Sequence, residues 1–252
     1  MGARPVLALA ITCFPSQDRP LEELAEILRG GAETFGAVGV PVVGGHSVED
    51  DELKFGYAVI GLAPADGLWR NSTARPGDRL LLTKALGTGI LAAAARSRKE
   101  EGAPWRAAID QMKTTNAAAA AALDPASVHA ATDITGFGLA GHAAEMARGS
   151  CVSLRLRADA LPILEGALHW AARGCLTRSR DTNREYAGED FLAADSLDPA
   201  LLEVVLDAQT SGGLLLAVDP DSDARARLEA AGCLAAEIGT VEERGPHAVS
   251  LE

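Results

Sequence analysis

Apolar positions along the chain switch between unbroken runs and helical spacing, and each switch marks a new element. Pro5 to Thr12 is an apolar run of strand length. Leu21, Leu24, Ala25 and Leu28 then recur at helical spacing, and the helix is expected to continue to about Val38, where Gly39 ends it. Val40 to Val43 reads as a short strand entering a turn, Gly44-Gly45-His46-Ser47. An acidic run, Glu49 to Glu52, precedes a strand from Lys54 to Leu62. Turn residues at Pro64–Gly67 and Arg75–Asp78 place a boundary near residue 70.

Beyond it, Arg79 to Thr83 reads as a strand, Gly87-Thr-Gly89 opens an alanine-rich helix to about Arg98, and one helix is expected over Trp105 to Ala122. The glycine-bearing loop Thr132-Asp-Ile-Thr-Gly-Phe-Gly138 leads into a helix to about Arg148. A strand over Cys151–Arg157, a helix over Leu161–Arg173 and a polar, irregular stretch over Leu176–Asp198 follow. The pattern closes with a helix over Leu201–Leu206, a buried strand over Leu214–Val218, a helix over Asp221–Ala231 and strands over Glu237–Val241 and Ala248–Leu251. Mixed strands and helices of this kind give an α/β (α+β) sandwich.

Of the 252 residues, 48% are hydrophobic, enough for a substantial core, and the net charge is −12. That balance argues against a nucleic-acid surface. No apolar segment is long enough to span a bilayer, so no membrane role is expected. Four cysteines, Cys13, Cys151, Cys175 and Cys233, show no CxxC spacing and read as reduced thiols of a cytoplasmic protein.

Three small-residue loops carry the candidate chemistry. Asp133 can hold the divalent cation that travels with a polyphosphate, although an N-cap role in the following helix is the alternative from the residues alone. His142 on that helix reads as packed or capping. Gly44-Gly45-His46-Ser47 offers backbone N–H groups and a hydroxyl to a phosphate, or is a tight turn. Gln209 to Gly213 reads as a loop before a core strand. The arginines from Arg178 to Arg184 could contact phosphate but read better as a solvated surface loop, and Lys84 could reach a phosphate but reads better as an exposed strand-end lysine. No P-loop, dinucleotide fingerprint or nucleophile elbow is present.

In order, Val42-Val-Gly-Gly-His-Ser-Val48, Leu81-Leu-Thr-Lys-Ala-Leu-Gly-Thr-Gly89, Thr132-Asp-Ile-Thr-Gly-Phe-Gly-Leu-Ala-Gly-His142 and Ala208-Gln-Thr-Ser-Gly-Gly-Leu-Leu215 resemble the selenide, water dikinases. These selenophosphate synthetases belong to the aminoimidazole ribonucleotide synthetase-like superfamily. The resemblance implies synthesis of selenophosphate from selenide, ATP and water, with AMP and phosphate released. It implies a homodimer whose N-terminal halves pair into a shared barrel. Asp133 would coordinate Mg²⁺, and Gly45, His46 and Ser47 would contact ATP bound mainly by the other subunit.

Residues 1–68 would be the remnant of the ATP-binding, barrel-forming domain, and residues 69–252 a complete C-terminal α/β sandwich domain. The family's Cys or selenocysteine nucleophile, catalytic lysine and most metal-binding aspartates would fall ahead of Met1, and Cys13 is not that nucleophile. The expectation is an N-terminally truncated, inactive fragment with an exposed apolar edge. The family's motif commonly has proline where Ala208 stands. Alternatives are a non-catalytic partner subunit, or another ATP-dependent member such as a hydrogenase maturation factor or thiamine-phosphate kinase relative.

Overall fold

The computed structural model describes residues 2–64, 67–97, 99 and 101–252, which divide into two units, Gly2–Leu68 and Trp69–Glu252. Each is built around its own sheet. The expected helix end at Arg98, and residues 65 and 66 of the expected linker, lie outside the described residues.

In the first unit, β1 (Arg4–Phe14) is the central strand of three. The helix α1 (Leu21–Ala37) returns the chain so that β2 (Val42–Glu49) runs parallel to β1, while β3 (Lys54–Leu62) pairs with it antiparallel. Phe35 of α1 packs edge-on against Tyr57 of β3 with ring centroids 4.7 Å apart. The expected turn at Gly44–Ser47 is instead extended: the ladder continues through Ala10↔Gly45, Ile11↔His46 and Thr12↔Ser47. Gly45 makes this possible, since a Cβ there would lie 2.0 Å from the Ala10 carbonyl oxygen. Ile11, Val43, Val48, Val59, Ile60 and Leu62 are each about half exposed or more.

The second unit holds a seven-stranded mixed sheet. In chain order its elements are β4 (Arg79–Leu82), α2 (Thr88–Arg96), α3 (Ala103–Lys113), α4 (Ala117–Ala122), β5 (Val128–Asp133) and α5 (Gly138–Ser150). There follow β6 (Val152–Leu156), α6 (Ala167–Ala171), α7 (Arg180–Ala187), β7 (Phe191–Ala193), α8 (Pro199–Leu206), β8 (Leu214–Val218), α9 (Ala224–Ala230), β9 (Ala236–Glu243) and β10 (Val249–Leu251). The strand order is β5-β8-β4-β9-β6-β10-β7.

Alternate residues of the central strands enter opposite cores. Leu80 and Leu82 of β4, with Leu215 and Ala217 of β8, join the larger core formed with α2, α5, α6 and α8. Leu81, Leu214, Leu216 and Val218 pack on the other side against Ala119 of α4 and Leu228 of α9. Because both faces are covered, these strands read as unbroken apolar runs.

In this unit four expectations of secondary structure change. The helix expected over 105–122 is two, interrupted at residues 114–116. The one expected over 161–173 is only the short α6. The stretch 176–198 contains α7 and β7. Asp133 does not sit in a loop; it ends a strand that the hydrophobic pattern did not reveal.

Candidate functional site

β4 and β5 both run antiparallel to β8, so their C-terminal ends and the start of β8 meet at one end of the sheet. Asp133 is the last residue of β5 and pairs with Leu214. Thr83 is clamped to the same residue: its N–H donates to the Leu214 carbonyl at 3.1 Å, and its Oγ1 accepts from the Leu214 N–H at 2.8 Å. The loop after β5 crosses the loop before β8. Ile134 N–H donates to the Gly213 carbonyl, and Gln209 N–H to the Thr135 carbonyl, both at 2.9 Å. The crossing is so tight that a Cβ at Gly212 would lie 2.1 Å from the Ile134 oxygen.

Within this knot, the Asp133 carboxylate is half-buried and has no hydrogen-bond or ion-pair partner among the described residues. An unpaired carboxylate at a strand end suits a hard cation that keeps most of its ligands as water and phosphate oxygens. It fits as one anchor only, since no group of three or more His, Cys, Asp or Glu side chains converges as a metal site among the described residues. A cavity of about 410 Å³ beside β5 is lined by Arg70, Asn71, Ser72 and Thr132, and Asp133 is not part of its lining.

His142 is buried on α5, as the sequence suggested, and its Nε2 shares a 3.2 Å hydrogen bond with Thr135 Oγ1. Burial lowers its pKa, opposed by the charges of Glu145 and Asp133. The ring therefore stays neutral and braces the loop after Asp133. Phe137 at the tip of that loop stacks on Tyr186 with centroids 4.6 Å apart.

Two supports were not legible in the sequence. Gln209 is buried, and its Oε1 accepts from Gly87 N–H (2.8 Å), Thr88 N–H (3.1 Å) and Thr88 Oγ1 (3.1 Å), while Nε2 donates to the Asp207 carbonyl. Lys84 is buried rather than exposed. Its ammonium donates to the carbonyls of Thr114 and Ser211, and burial lowers its pKa. The expected solvated arginines divide. Arg180 and Arg184 both pair with Glu203, whereas Arg178 has no partner among the described residues.

Gly45, His46 and Ser47 lie in β2, in the other unit, on an exposed edge strand. The side chains of His46 and Ser47 are exposed and make no hydrogen bond among the described residues.

Comparison with known proteins bears on the family and the fold. Residues 1–63 match the N-terminal domain, and residues 75–252 the C-terminal domain, of AIR synthase related proteins. A selenide, water dikinase of Nitratidesulfovibrio vulgaris is 43% identical over 246 residues, covering 95% of this chain and 67% of the relative. One from Trichlorobacter lovleyi is 44% identical, covering 92% and 66%, and one from Citrifermentans bemidjiense 43% identical, covering 97% and 71%. The chain thus spans about two thirds of the length of these relatives.

Among solved structures, thiamine-monophosphate kinase from Stenotrophomonas maltophilia matches with a TM-score of 0.76 at 19% identity, covering all of this chain and 73% of that one. The hydrogenase maturation protein HypE in complex with ATP matches at 0.70 and 19%, covering all of this chain and 71% of that one. At such identity these two speak for the fold alone. The fold and the level of identity to the curated relatives lead to one conclusion: the chain belongs to the selenide, water dikinase family of AIR synthase related proteins.

Proposed function

We propose that this chain serves selenophosphate synthesis from selenide, ATP and water, and that Asp133 anchors the Mg²⁺ that accompanies the ATP phosphates. The observation that carries the reading is the unpaired, half-exposed carboxylate held where the ends of β4, β5 and β8 meet. Phosphoryl transfer is chiefly positioning and charge neutralisation, and the cation supplies the latter when bound. The protein's part is to fix the carboxylate, through the Ile134–Gly213 and Gln209–Thr135 bonds and the neutral His142 brace. Gly45, His46 and Ser47 face ATP held mainly by a second copy in a homodimer. Four free thiols suit a cytoplasmic setting.

Titration of the 252-residue chain with ATP, with and without Mg²⁺, tests the reading. Binding is expected to require Mg²⁺ and to weaken in Asp133→Asn; ATP affinity indifferent to both the metal and the substitution refutes it. The resemblance assigns the family's nucleophile, lysine and further aspartates to no residue of 1–252. Assayed alone, the chain is therefore expected to release no selenide-dependent AMP.

A further inference from the structure

A second cleft lies in the unit of residues 69–252, on the α2 side of the sheet. Its volume is about 550 Å³, and it is lined by Gly89, Arg96, Thr177, Arg178, Ser179 and Thr210. The chain carries 35 acidic against 23 basic residues, and Arg148, Arg155, Arg180 and Arg227 are each tied to carboxylates. Arg96 and Arg178 are different. Both are exposed, both line this one cleft, and neither has an ion-pair or hydrogen-bond partner among the described residues.

The walls are set in place. Thr177 N–H and Oγ1 both donate to Asp207 Oδ1, at 2.9 and 2.6 Å, so Ser179 Oγ, 2.9 Å away, donates to Thr177 Oγ1. That spends the Ser179 proton and fixes the segment that carries Arg178. Across the cleft, Thr210 N–H is held by Thr88 Oγ1 at 2.9 Å, while the Thr210 hydroxyl has no partner among the described residues. The cleft therefore offers two unpaired guanidiniums and one free hydroxyl, with Ala92 and Ala93 as an apolar floor.

We infer that this cleft binds a phosphate-bearing anion, either free phosphate or a phosphate monoester. Planar guanidinium forks match phosphate oxygens in pairs, and neither guanidinium is tied to a carboxylate among the described residues. The apolar floor accommodates the carbon portion of an ester. The site needs no metal and does not rest on the role given to Asp133.

Calorimetric titration of the full chain in EDTA at fixed ionic strength, with orthophosphate and separately with AMP, tests the inference. Saturable binding is expected for at least one; tighter AMP binding identifies a monoester site, tighter orthophosphate a free-phosphate site. Arg96→Ala and Arg178→Ala should each weaken it about tenfold, the scale of a lost charged hydrogen bond, with melting curves unchanged. Asp133→Asn should bind as the parent does, as should Arg225→Ala, which removes a charge on α9 across the sheet. No saturable binding, a double arginine variant that binds like the parent, or an equal loss in Arg225→Ala overturns the inference.

Discussion

Gln209→Leu is expected to loosen the whole loop end of the larger unit, because a single side-chain oxygen holds two backbone N–H groups there. Gln209 is 4% exposed, and its Oε1 accepts from Gly87 and Thr88 N–H at 2.8 and 3.1 Å. Leucine has similar volume but no acceptor, so both donors lose their partner. An unsatisfied buried donor costs about 1–3 kcal/mol, and two set a range of about 2–6 kcal/mol. Thr88 Oγ1 also loses a partner, but a hydroxyl can rotate, so a value near 3 kcal/mol is expected. For a unit of this size that corresponds to a fall in Tm of about 6–12 °C. All three tryptophans, Trp69, Trp105 and Trp170, lie in this unit, so intrinsic fluorescence during urea unfolding follows it selectively. A loss below about 1 kcal/mol, at unchanged denaturant slope, would show that Gln209 does not hold these donors.

Two further outcomes follow from burial and close approach. Asp207 is fully buried, and burial raises its pKa against the hydrogen bonds from Thr177. The folded chain thus holds a proton that the unfolded chain releases above about pH 3.9, so the contribution to stability is present below that value and is lost as pH rises through the raised folded pKa. Asp207→Asn removes this titration. Urea midpoints from about pH 4 upward should then fall less in the variant than in the parent, and parallel profiles would contradict the assignment. In the smaller unit, Gly45→Ala places a Cβ against the Ala10 carbonyl at 2.0 Å. Overpacking of this kind costs about 2 kcal/mol, which should speed amide exchange across β2 roughly 30-fold; unchanged protection there would show that the β1–β2 approach is not tight.

How far the sequence reveals this molecule depends on how local each determinant is. β3 and β8 occupy the residues that hydrophobic patterning predicts, 54–62 and 214–218; for β8 the covered apolar run needs no further information, whereas β3 keeps its strand although its second half is exposed. β5 was hidden: Val128-His-Ala-Ala-Thr-Asp133 carries one β-branched apolar residue and three polar ones, and its extended form comes from pairing with β8. The break between α3 and α4 falls where the Thr114 carbonyl receives Lys84, and the Asn116 side chain donates to the Gly212 carbonyl. Those partners are distant in sequence, so helical spacing alone ran the two together.

The candidate site divides in the same way. Asp133 was a candidate only through the family resemblance, since its own neighbourhood left an N-cap role equally open. Gln209 was not legible, since Gly87 and Thr88 lie more than a hundred residues earlier. Lys84 was misjudged as exposed because nothing local shows that two loops close over it. The extended form of Gly44–Ser47 was masked by the usual meaning of paired glycines. There they serve a close strand approach rather than a reversal of the chain.

The sheet order has a consequence for how the larger unit is made. β5 is an outermost strand whose sole ladder partner among the described residues is β8, and β8 also separates it from β4. While the chain emerges from a ribosome, Asp133 is synthesised well before the segment that will pin it, and β4 waits longer still for its neighbours β8 and β9. Closure of such sequence-distant pairings is slow. The sheet end that carries Asp133 therefore cannot form before β8 is made, and nascent chains not yet extended past Val218 cannot possess it.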